Sequence, residues 1–390
     1  MGATLLDRQA GPLTEADIAS AGDTRYLLDT CILNINGGVG VSQELGTTGA
    51  TLTNNTSKYL ADMWEAMYNH TAAIAIVTSG QVAASSFPSV LLGFPNGHQI
   101  KATTAISAPA NGDFAFHRTQ IEGYRTARLG WGASNPSSLS YGFWFYTTAS
   151  GTITVKISNS AKSRCFYKEH AVVGPGWNWV SATIAGDTSG TWQTTTLAGI
   201  IFEIFGSGKA ASPVAPDAWS ATSTTASTNT TNLYGSNNNL TIVTGLVLIP
   251  GTAIPNSLRV FGNQRTFDEE LRLCMRYFRS DFPYGTTPAD NVQSNKSLGV
   301  SVNGGTTVSP IYRFGSSMRA SPSVTFYSSN VKASPTAGQW QYFNAAAYVD
   351  GSGTTTFSVD TSGFSVSLTT ALVSGAGNAL VGSWKADARL

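Results

Sequence analysis

The sequence predicts a mainly β protein: a jelly-roll-like antiparallel β-sandwich, a short bridging helix and a second, smaller C-terminal β-sandwich. The first observation is a series of short runs rich in β-branched and aromatic residues, separated by Gly, Asn and Ser. The second is composition, since charged residues make up only 12% of the 390 residues and aromatic residues 11%. Such a chain has too much apolar and aromatic material to be disordered. The third is that helical periodicity is well formed only over residues 258–283.

These patterns divide the chain into four segments. Residues 1–23 are short of large apolar residues and cannot fold alone, so they either fray or become ordered on a partner. Residues 24–257 carry the strand signals of the jelly-roll-like sandwich, interrupted by a polar Ser/Thr/Asn-rich excursion over residues 207–241. Residues 258–295 hold the bridging helix and a linker. Residues 296–390 repeat the strand-and-turn pattern as the C-terminal sandwich.

Within the first sandwich, strand alternation is clearest in GTITVKISNS, where Ile153, Val155 and Ile157 share one face. This run and the preceding LSYGFWFYTTA predict a hairpin across Ser150-Gly151. The pairs Phe143 with Phe145 and Trp177 with Trp179 are predicted to lie in the core. Two further strands are predicted around Gly37-Gly38, and YLADMWEAMYN (59–69) is compatible with a short helix.

The helix predicted after residue 258 has an apolar face and charged ends. Its apolar residues recur every three or four positions: Phe267, Leu271, Cys274, Met275 and Phe278. Acidic residues fill the first turn, and Thr266 with Glu269 forms a capping box. We expect Phe267, Leu271, Met275 and Phe278 to contact either the other domain or other copies of the chain; the sequence does not decide between these.

Composition excludes several classes of partner. The net charge is +1 with no basic window, which excludes a nucleic-acid-binding surface. No run of 18 apolar residues exists, so no membrane insertion is expected, and the N-terminus lacks the pattern of a secretory signal. Cys31, Cys165 and Cys274 are far apart and predict buried free thiols in a protein folded in a reducing cytoplasm. We expect neither a metal nor a cofactor.

No motif for catalysis is present. The chain lacks a nucleophile elbow, a P-loop, a zinc-protease motif and a dinucleotide fingerprint. The four histidines are scattered and are predicted to be surface or turn residues. A glycosidase needs two facing carboxylates, which a sequence alone cannot pair. The acidic run Asp268–Glu270 is explained as a helix N-terminus, and we predict that the chain is not an enzyme.

Several segments resemble a module of tailed-bacteriophage and prophage structural proteins, the head, neck or tail fibre and spike family. The segments are Asn34–Gln43, Gln120–Tyr124, Glu270–Phe278, Phe314–Phe326 and Trp384–Leu390. The combination of LRLCMRYF with MRASPSVTF is the most specific part. The resemblance implies a virion appendage, assembled in the bacterial cytoplasm, that is usually homotrimeric and carries a carbohydrate-binding-like sandwich. Residues 1–23 would then dock on other virion proteins, although the repetitive shaft of many phage fibres is missing here.

A host-surface glycan is the ligand that this resemblance favours. Flat aromatic rings pack on sugar rings, and Asn, Asp and Gln bind hydroxyl groups. The aromatic residues least explained by strand alternation are Trp219, Tyr234, Trp340 and Tyr342, which we predict as carbohydrate contacts; alternatively, they cover a domain edge or a subunit interface. The leading hypothesis is a virion fibre, spike or decoration protein acting in host attachment. The alternative is a particle-borne polysaccharide depolymerase with a carbohydrate-binding module, and a bacterial adhesin is disfavoured by the missing signal.

Overall fold

The computed structural model describes residues 31–71, 77–83, 93–106, 108–210, 214–255, 258–259, 265–292, 297–299, 307–344, 346–369 and 379–390. The chain forms two compact units: unit 1 comprises residues 1–42, 47–270 and 390, and unit 2 comprises residues 43–46 and 271–389. Strands account for 41% of the structure and helices for 6%, which confirms the predicted mainly β fold. The N-terminal peptide predicted over residues 1–23 lies outside the described residues.

Unit 1 is a sandwich of two antiparallel sheets. Sheet A has the order β1-β4-β5-β13-β7-β10, and sheet B has the order β12-β9-β8-β11-β6-β3-β2. Between β6 and β7 lie a four-residue helix, α1 (Gly123–Thr126), and a 3₁₀ turn, Ala127–Leu129. The strands of unit 1 are β1 (Ala50–Thr51), β2 (Lys58–Ala61), β3 (Trp64–Asn69), β4 (Val77–Ala83), β5 (Asn96–Ala102), β6 (Phe114–Glu122), β7 (Leu139–Thr147), β8 (Gly151–Ser158), β9 (Cys165–Val172), β10 (Gly176–Ile184), β11 (Ala198–Gly208), β12 (Trp219–Ser220) and β13 (Leu240–Pro250).

The core of unit 1 fills the space between the two sheets. Alternate residues of β8 point inward as predicted, and Ile153, Val155 and Ile157 are each at most 1% exposed. Phe143 and Phe145 of β7 meet them from sheet A and are fully buried, which confirms their predicted core position. A continuous apolar core between facing sheets is what stabilises a sandwich of this type.

The connection from β7 to β8 does not form the predicted hairpin. β7 pairs with β10 and β13 in sheet A, while β8 pairs with β9 and β11 in sheet B. The turn at Ser150-Gly151 therefore carries the chain from one sheet to the other. The hairpin prediction was wrong because alternation and turn residues identify strands but not their partners.

The two strands predicted around Gly37-Gly38 are absent from the described segment 31–49, which is an irregular loop. Asn34 replaces strand pairing, since its side-chain amide donates to the Leu246 carbonyl at 2.8 Å and its oxygen accepts from the Leu248 N–H at 2.9 Å. Asn36, at a φ of 55°, donates to the carbonyls of Val41 and Asp62 at 2.7 Å each. Side-chain amides of this kind compete effectively with regular strand ladders.

The segment 59–69 is a β-hairpin rather than a helix. β2 and β3 pair antiparallel, with Tyr59 opposite Glu65. Trp64 begins β3, is fully buried, and donates its indole N–H to the Asn36 carbonyl at 2.8 Å. The apolar spacing suits a helix, but β3 extends sheet B beside β6, so tertiary pairing overrides the local pattern.

The polar excursion after β11 covers part of the outer face of sheet B. Lys156 donates to the Thr224 carbonyl at 3.1 Å, and Thr154 bonds to the Ser227 hydroxyl at 2.8 Å. Ala226 packs against Phe116 and Phe205. The many Ser and Thr residues of this excursion therefore satisfy polar groups on the sheet that would otherwise be buried without partners.

Unit 2 is built from small antiparallel sheets around its own aromatic core, which includes Phe326, Trp340 and Phe364. Three of the segments that carry the resemblance contribute the strands of one sheet, in the order β14-β24-β18. The strands of unit 2 are β14 (Phe278–Ser280), β15 (Ser297–Gly299), β16 (Thr307–Val308), β17 (Tyr312–Arg313), β18 (Ser323–Tyr327), β19 (Gln341–Phe343), β20 (Tyr348–Asp350), β21 (Thr355–Val359), β22 (Gly363–Leu368), β23 (Ala379–Val381) and β24 (Ser383–Asp387).

Helix α2 (Phe267–Cys274) is shorter than predicted. Its start is the predicted capping box: the Thr266 N–H donates to the Glu269 carboxylate at 3.2 Å, and the Glu269 N–H donates to the Thr266 hydroxyl at 3.4 Å. Its end comes before Pro283, because the Tyr277 N–H donates to the Cys274 carbonyl at 2.8 Å in a tight turn that leads into β14.

The predictions about thiols agree with the structure. The three cysteines are buried thiols. Within the described residues, no helix has the length and apolar content needed to span a membrane. In the same part of the chain, no group of three or more His, Cys, Asp or Glu side chains is arranged to hold a metal ion.

Candidate functional site

Three tryptophans converge at one edge of the unit 1 sandwich. Trp131 follows the 3₁₀ turn, Trp192 lies on the loop between β10 and β11, and Trp219 begins β12. The ring centroids of Trp131 and Trp192 are 4.6 Å apart, and Trp219 lies 5.2 Å from Trp131 and 5.4 Å from Trp192, with all three pairs edge-to-face. Trp131 is 8% exposed, whereas Trp192 and Trp219 are half-buried. Each edge-to-face pair stabilises the cluster beyond its buried area.

The indole N–H groups of this cluster are all used internally. Trp131 donates to the Ser137 carbonyl at 2.8 Å, Trp192 to the Ser189 carbonyl at 3.1 Å, and Trp219 to the Ala185 carbonyl at 2.9 Å. These bonds fix the orientation of each ring. What the cluster offers to a ligand is therefore aromatic surface in a fixed arrangement rather than a hydrogen-bond donor.

The loop that carries Trp192 is held by a buried ion pair. Arg164 donates from Nε and Nη2 to the two oxygens of Asp187, both at 2.7 Å. Asp187 is 1% exposed, and its hydrogen bond raises the pKa of the Arg164 guanidinium. Asn159 adds a second tie by donating to the Thr191 carbonyl at 3.0 Å. A bidentate pair of this geometry, together with the Asn159 bond, restricts the part of the loop that precedes Trp192.

Gly132 allows this loop to approach the segment after the 3₁₀ turn. It has a φ of 86°, and a Cβ at this position would lie 2.7 Å from the Gly190 carbonyl oxygen. The Gly132 N–H donates to the Asp187 carbonyl at 2.8 Å. A side chain here would strain the backbone and separate the two loops. The position of Trp192 beside Trp131 therefore depends on this glycine.

Helix α1 closes the other side of the site. The Gly123 N–H donates to the Leu197 carbonyl at 2.7 Å, and the Tyr124 N–H donates to the Thr195 carbonyl at 2.9 Å. Tyr124 itself is 61% exposed, an unusual position for a large aromatic ring. The backbone bonds place α1 alongside the residues that follow Trp192.

Between these elements lies a cleft with an empty volume of ≈ 270 Å³, open to solvent, which we call the tryptophan cleft. Its walls include Trp131 and Trp192, and its floor includes Leu129 and Ile200, which are at most 1% exposed. Polar groups at its rim come from Thr126, Gln193 and Thr194. An apolar floor, aromatic walls and a few polar rim groups are the usual composition of a small-molecule site.

The arrangement suits recognition of a sugar. The apolar face of a pyranose ring can pack on the Trp192 indole while the amide and hydroxyl at the rim bind its hydroxyl groups. Among the described residues that line the cleft there is no Asp, Glu, His, Cys, Lys or Arg.

One of the four predicted carbohydrate contacts packs behind this site without lining the cleft, and three are core residues. Trp219 contributes to the tryptophan cluster. Tyr234 is fully buried in unit 1, with its hydroxyl on Thr241, and Trp340 and Tyr342 are 1% and 7% exposed in the core of unit 2. A sugar cannot stack on rings that protein atoms already cover. Tyr234, Trp340 and Tyr342 are therefore corrected to core positions.

The residues of the helix that were predicted to make contacts differ in their exposure to solvent. Phe267 is 48% exposed, while Leu271 and Met275 are half-buried. Phe278 does not continue the helical face, since it is fully buried in β14, with the Arg389 guanidinium 4.4 Å from its ring centroid. The helical spacing of Phe278 was misleading because the helix ends at Cys274.

Sequence reasoning missed Trp131 and Trp192. Each lies in a loop rich in Gly and Ser (GWGASN and TSGTWQTT), and an isolated tryptophan between turn residues is the signal that could have identified them. Trp177 and Trp179 were assigned to the core, but both are half-buried on the outer face of sheet A, opposite Tyr146 and Trp144 of β7. The two tryptophans share one face of β10, as predicted. That face points away from the core, which the prediction had reversed.

The histidines were predicted to be surface or turn residues, but two of them lie on strands in the core of unit 1. His98 of β5 and His117 of β6 are fully buried, and their Nδ1 atoms are 2.8 Å apart. Burial lowers the pKa of His98 to about 3 and that of His117 well below its usual value, so both are neutral. His117 also bonds to the Thr241 hydroxyl at 2.8 Å. The prediction failed because a buried histidine needs only polar partners, which the sequence does not reveal.

A second group of buried polar side chains lies on neighbouring strands of sheet B. Glu203 of β11 is 1% exposed and lies 3.5 Å from the Lys156 ammonium and 3.7 Å from the Arg118 guanidinium. Arg118 also bonds to Glu65 on its other side. Arg118 therefore lies between the two carboxylates, as part of an ion-pair network on sheet B.

Comparisons with known proteins return weak similarities of fold. The enzymatically active domain of tailspike protein 4 from bacteriophage CBA120 aligns with 57% of this chain and 22% of its own, at 12% identity and a TM-score of 0.29. A family 61 carbohydrate-binding module in complex with β-1,4-galactotriose aligns with 48% of this chain and 88% of its own, at 12% identity and a TM-score of 0.25. This chain thus spans about a fifth of the length of the tailspike chain.

A family 11 carbohydrate-binding module from Clostridium thermocellum, in complex with a β-1,3-1,4-mixed-linked tetrasaccharide, aligns with 53% of this chain and 98% of its own. Its identity is 9% and its TM-score is 0.26. At these TM-scores the similarities carry no argument about function. No protein-family model and no curated protein sequence matches the chain.

Proposed function

We propose that this chain is a bacteriophage virion structural protein, a fibre, spike or decoration appendage, that attaches to glycans of the host surface through the tryptophan cleft. The observation that carries the glycan part is the cleft itself, where the fixed, half-buried Trp192 stands above an apolar floor beside Gln193 and Thr194. Tryptophan faces held in place before binding reduce the entropy cost of capturing a flexible sugar.

The virion part rests on the sequence resemblance and on one feature of unit 2. The segments Phe314–Phe326 and Trp384–Leu390 are distant in sequence, but their strands β18 and β24 pair, and β14, which begins at the last residue of Glu270–Phe278, pairs with β24 on its other side. Arg319 reinforces this sheet by donating to the Ala388 carbonyl at 2.7 Å. If the chain shares a structural module with other proteins, the sequence motifs of that module should come together in the fold, as these do in one sheet.

Assembly and location follow as parts of the same proposal. The appendage is a homotrimer, residues 1–23 dock on other virion proteins, and the particle is assembled in the bacterial cytoplasm. Phe267, 48% exposed on α2, is the residue of the predicted contact set with the most surface to offer another copy. We infer that the chain binds glycan without turning it over, and a depolymerase stays the alternative.

Binding of the full-length chain to an array of bacterial lipopolysaccharides and capsular polysaccharides tests the proposal. We expect at least one polysaccharide to bind, with binding lost in Trp192→Ala and kept in Trp177→Ala, a matched change at a half-buried tryptophan on the outer face of sheet A. Circular dichroism of both variants confirms folding. Binding to none of the polysaccharides, or equal binding by Trp192→Ala, would contradict the proposal, and release of reducing ends would favour the depolymerase.

A further inference from the structure

The tryptophan cleft presents no charge to its ligand. Among the residues described by the structure, those that line it are apolar, aromatic or neutral polar. The ion pair that supports the loop, Arg164 with Asp187, is closed on itself by two bonds of 2.7 Å. A sugar acid or an amino sugar with a free ammonium group would lose hydration in the cleft without gaining a counter-ion. The cleft therefore selects neutral sugars.

Two polar side chains at the rim are free to bind. In the described part of the chain, neither the Gln193 carboxamide nor the Thr194 hydroxyl makes a hydrogen bond with another protein group, although their neighbours Thr191 and Thr195 are bonded through their carbonyls. A carboxamide offers a donor and an acceptor side by side. Its natural complement is another amide, which has the same two functions in the opposite order.

The floor of the cleft is closed to a ligand. Leu129 and Ile200 are 1% and 0% exposed, and Trp131 beside them is 8% exposed. A sugar at this site therefore contacts the half-buried Trp192 ring and the polar rim.

We propose that the tryptophan cleft recognises the acetamido group of a neutral N-acetylated amino sugar. The Gln193 carboxamide pairs with the acetamido N–H and C=O, and the pyranose ring packs on Trp192. This inference rests on the proposed glycan attachment and adds its sugar class. A 6-deoxy sugar would leave the Gln193 carboxamide without an amide partner.

Titration calorimetry of the full-length chain with four methyl glycosides tests the sugar class: N-acetylglucosamine, glucosamine, glucose and rhamnose. We expect N-acetylglucosamine to bind with a dissociation constant on the order of 1 mM. Glucose and glucosamine should bind at least about tenfold more weakly, since one or two hydrogen bonds are lost. Gln193→Leu should remove the preference, and Gln339→Leu, a change at a half-buried glutamine of unit 2, should keep it.

The results distinguish the proposed glycan attachment from the proposed recognition of an acetamido group. Equal affinity for glucose and N-acetylglucosamine, with both lost in Trp192→Ala, overturns the acetamido inference and keeps glycan attachment. Preference for rhamnose, which has no acetamido group, also overturns it. A preference that survives Gln193→Leu removes the role given to that side chain. Failure of all four sugars together with failure of the polysaccharide array overturns both proposals, whereas array binding alone overturns only the sugar class.

Discussion

His98 and His117 join the two sheets of unit 1 through a direct bond between their Nδ1 atoms, 2.8 Å apart. His98 belongs to β5 of sheet A and His117 to β6 of sheet B. The Nε2 atom of His98 has no partner within the described residues. Donation by His98 Nδ1–H is therefore the favourable arrangement, because it leaves a bare lone pair rather than an unpaired N–H at Nε2. Protonation of both rings would place two N–H groups face to face.

The pair predicts that unit 1 loses stability as the solution is acidified. The folded-state pKa of each ring lies below the unfolded value of 6.5, so the unfolded chain binds protons first as pH falls. Their contribution to stability is complete above about pH 6.5 and is lost progressively towards pH 3. His170, whose pKa burial lowers to about 4, adds to the same trend. Urea unfolding at pH 7 and pH 5 measures the loss.

The variant His98→Gln provides the control for this trend. It keeps a polar side chain beside His117 but cannot be protonated, so it should be less stable at pH 7 and show a smaller decrease between pH 7 and pH 5. An unchanged decrease would assign the acid sensitivity to other groups.

Lys156→Met should destabilise unit 1 severely. It removes the ammonium 3.5 Å from Glu203, a carboxylate that is 1% exposed. Glu203 then keeps the Arg118 guanidinium, 3.7 Å away and shared with Glu65, and breaking one pair of a buried ionic group costs up to about 3–5 kcal/mol. The matched control is Lys168→Met, which breaks the exposed pair with Asp217 and should cost about 0–1 kcal/mol. Denaturant midpoints compare the two variants, and similar costs for both would show that the Glu203 group is not maintained by Lys156.

Asn36 supplies two kinds of stabilisation that separate variants can distinguish. Its φ of 55° disfavours most side chains, and its amide bonds to the backbone on both sides of the loop. Asn36→Gly keeps the conformation and loses the hydrogen bonds, so it should cost about 1–3 kcal/mol. Asn36→Ala should cost about 1 kcal/mol more, because alanine is strained at positive φ. Equal destabilisation by the two variants would mean that strain contributes nothing.

Arg164→Lys should weaken glycan binding without unfolding the protein. Lysine keeps the charge beside Asp187 but cannot form the two parallel bonds of 2.7 Å. We expect the loop that carries Trp192 to become more mobile and affinity to fall by about three- to tenfold, the equivalent of one hydrogen bond. Hydrogen exchange of the loop amides should accelerate while that of β7 stays slow. Unchanged exchange and affinity would remove the role of the ion pair in ordering the cleft.

The sequence was informative where local chemistry decides the structure. The alternation of Ile153, Val155 and Ile157 and the capping box of Thr266 appear as predicted, since each depends on neighbours in the chain. The fold class could be predicted from the sequence for the same reason. The partner of each strand could not be predicted, because pairing depends on the whole core, and β7 and β8 belong to different sheets.

The residues of the site could be predicted from the sequence only in part, for a related reason. Trp219 could be singled out because it lies in a polar excursion, but Trp131 and Trp192 reach it from two other loops. Tyr234 had the same signal as Trp219 and yet is fully buried, with its hydroxyl bonded to Thr241 at 2.7 Å. Burial of an aromatic residue in a loop depends on what the loop covers, and a single sequence carries no record of that contact.

Fluorine NMR of the full-length chain labelled with fluorotryptophan tests the central claim most directly. The nine tryptophans give separate probes, assigned by single substitutions, in the core, on the outer face of sheet A and at the cleft. Titration with oligosaccharides from a polysaccharide that binds on the array should shift the resonances of Trp131, Trp192 and Trp219 and leave those of Trp64 and Trp340 in place. Shifts confined to Trp144, Trp177 and Trp179, or no shift at saturating ligand, would contradict glycan attachment through the tryptophan cleft.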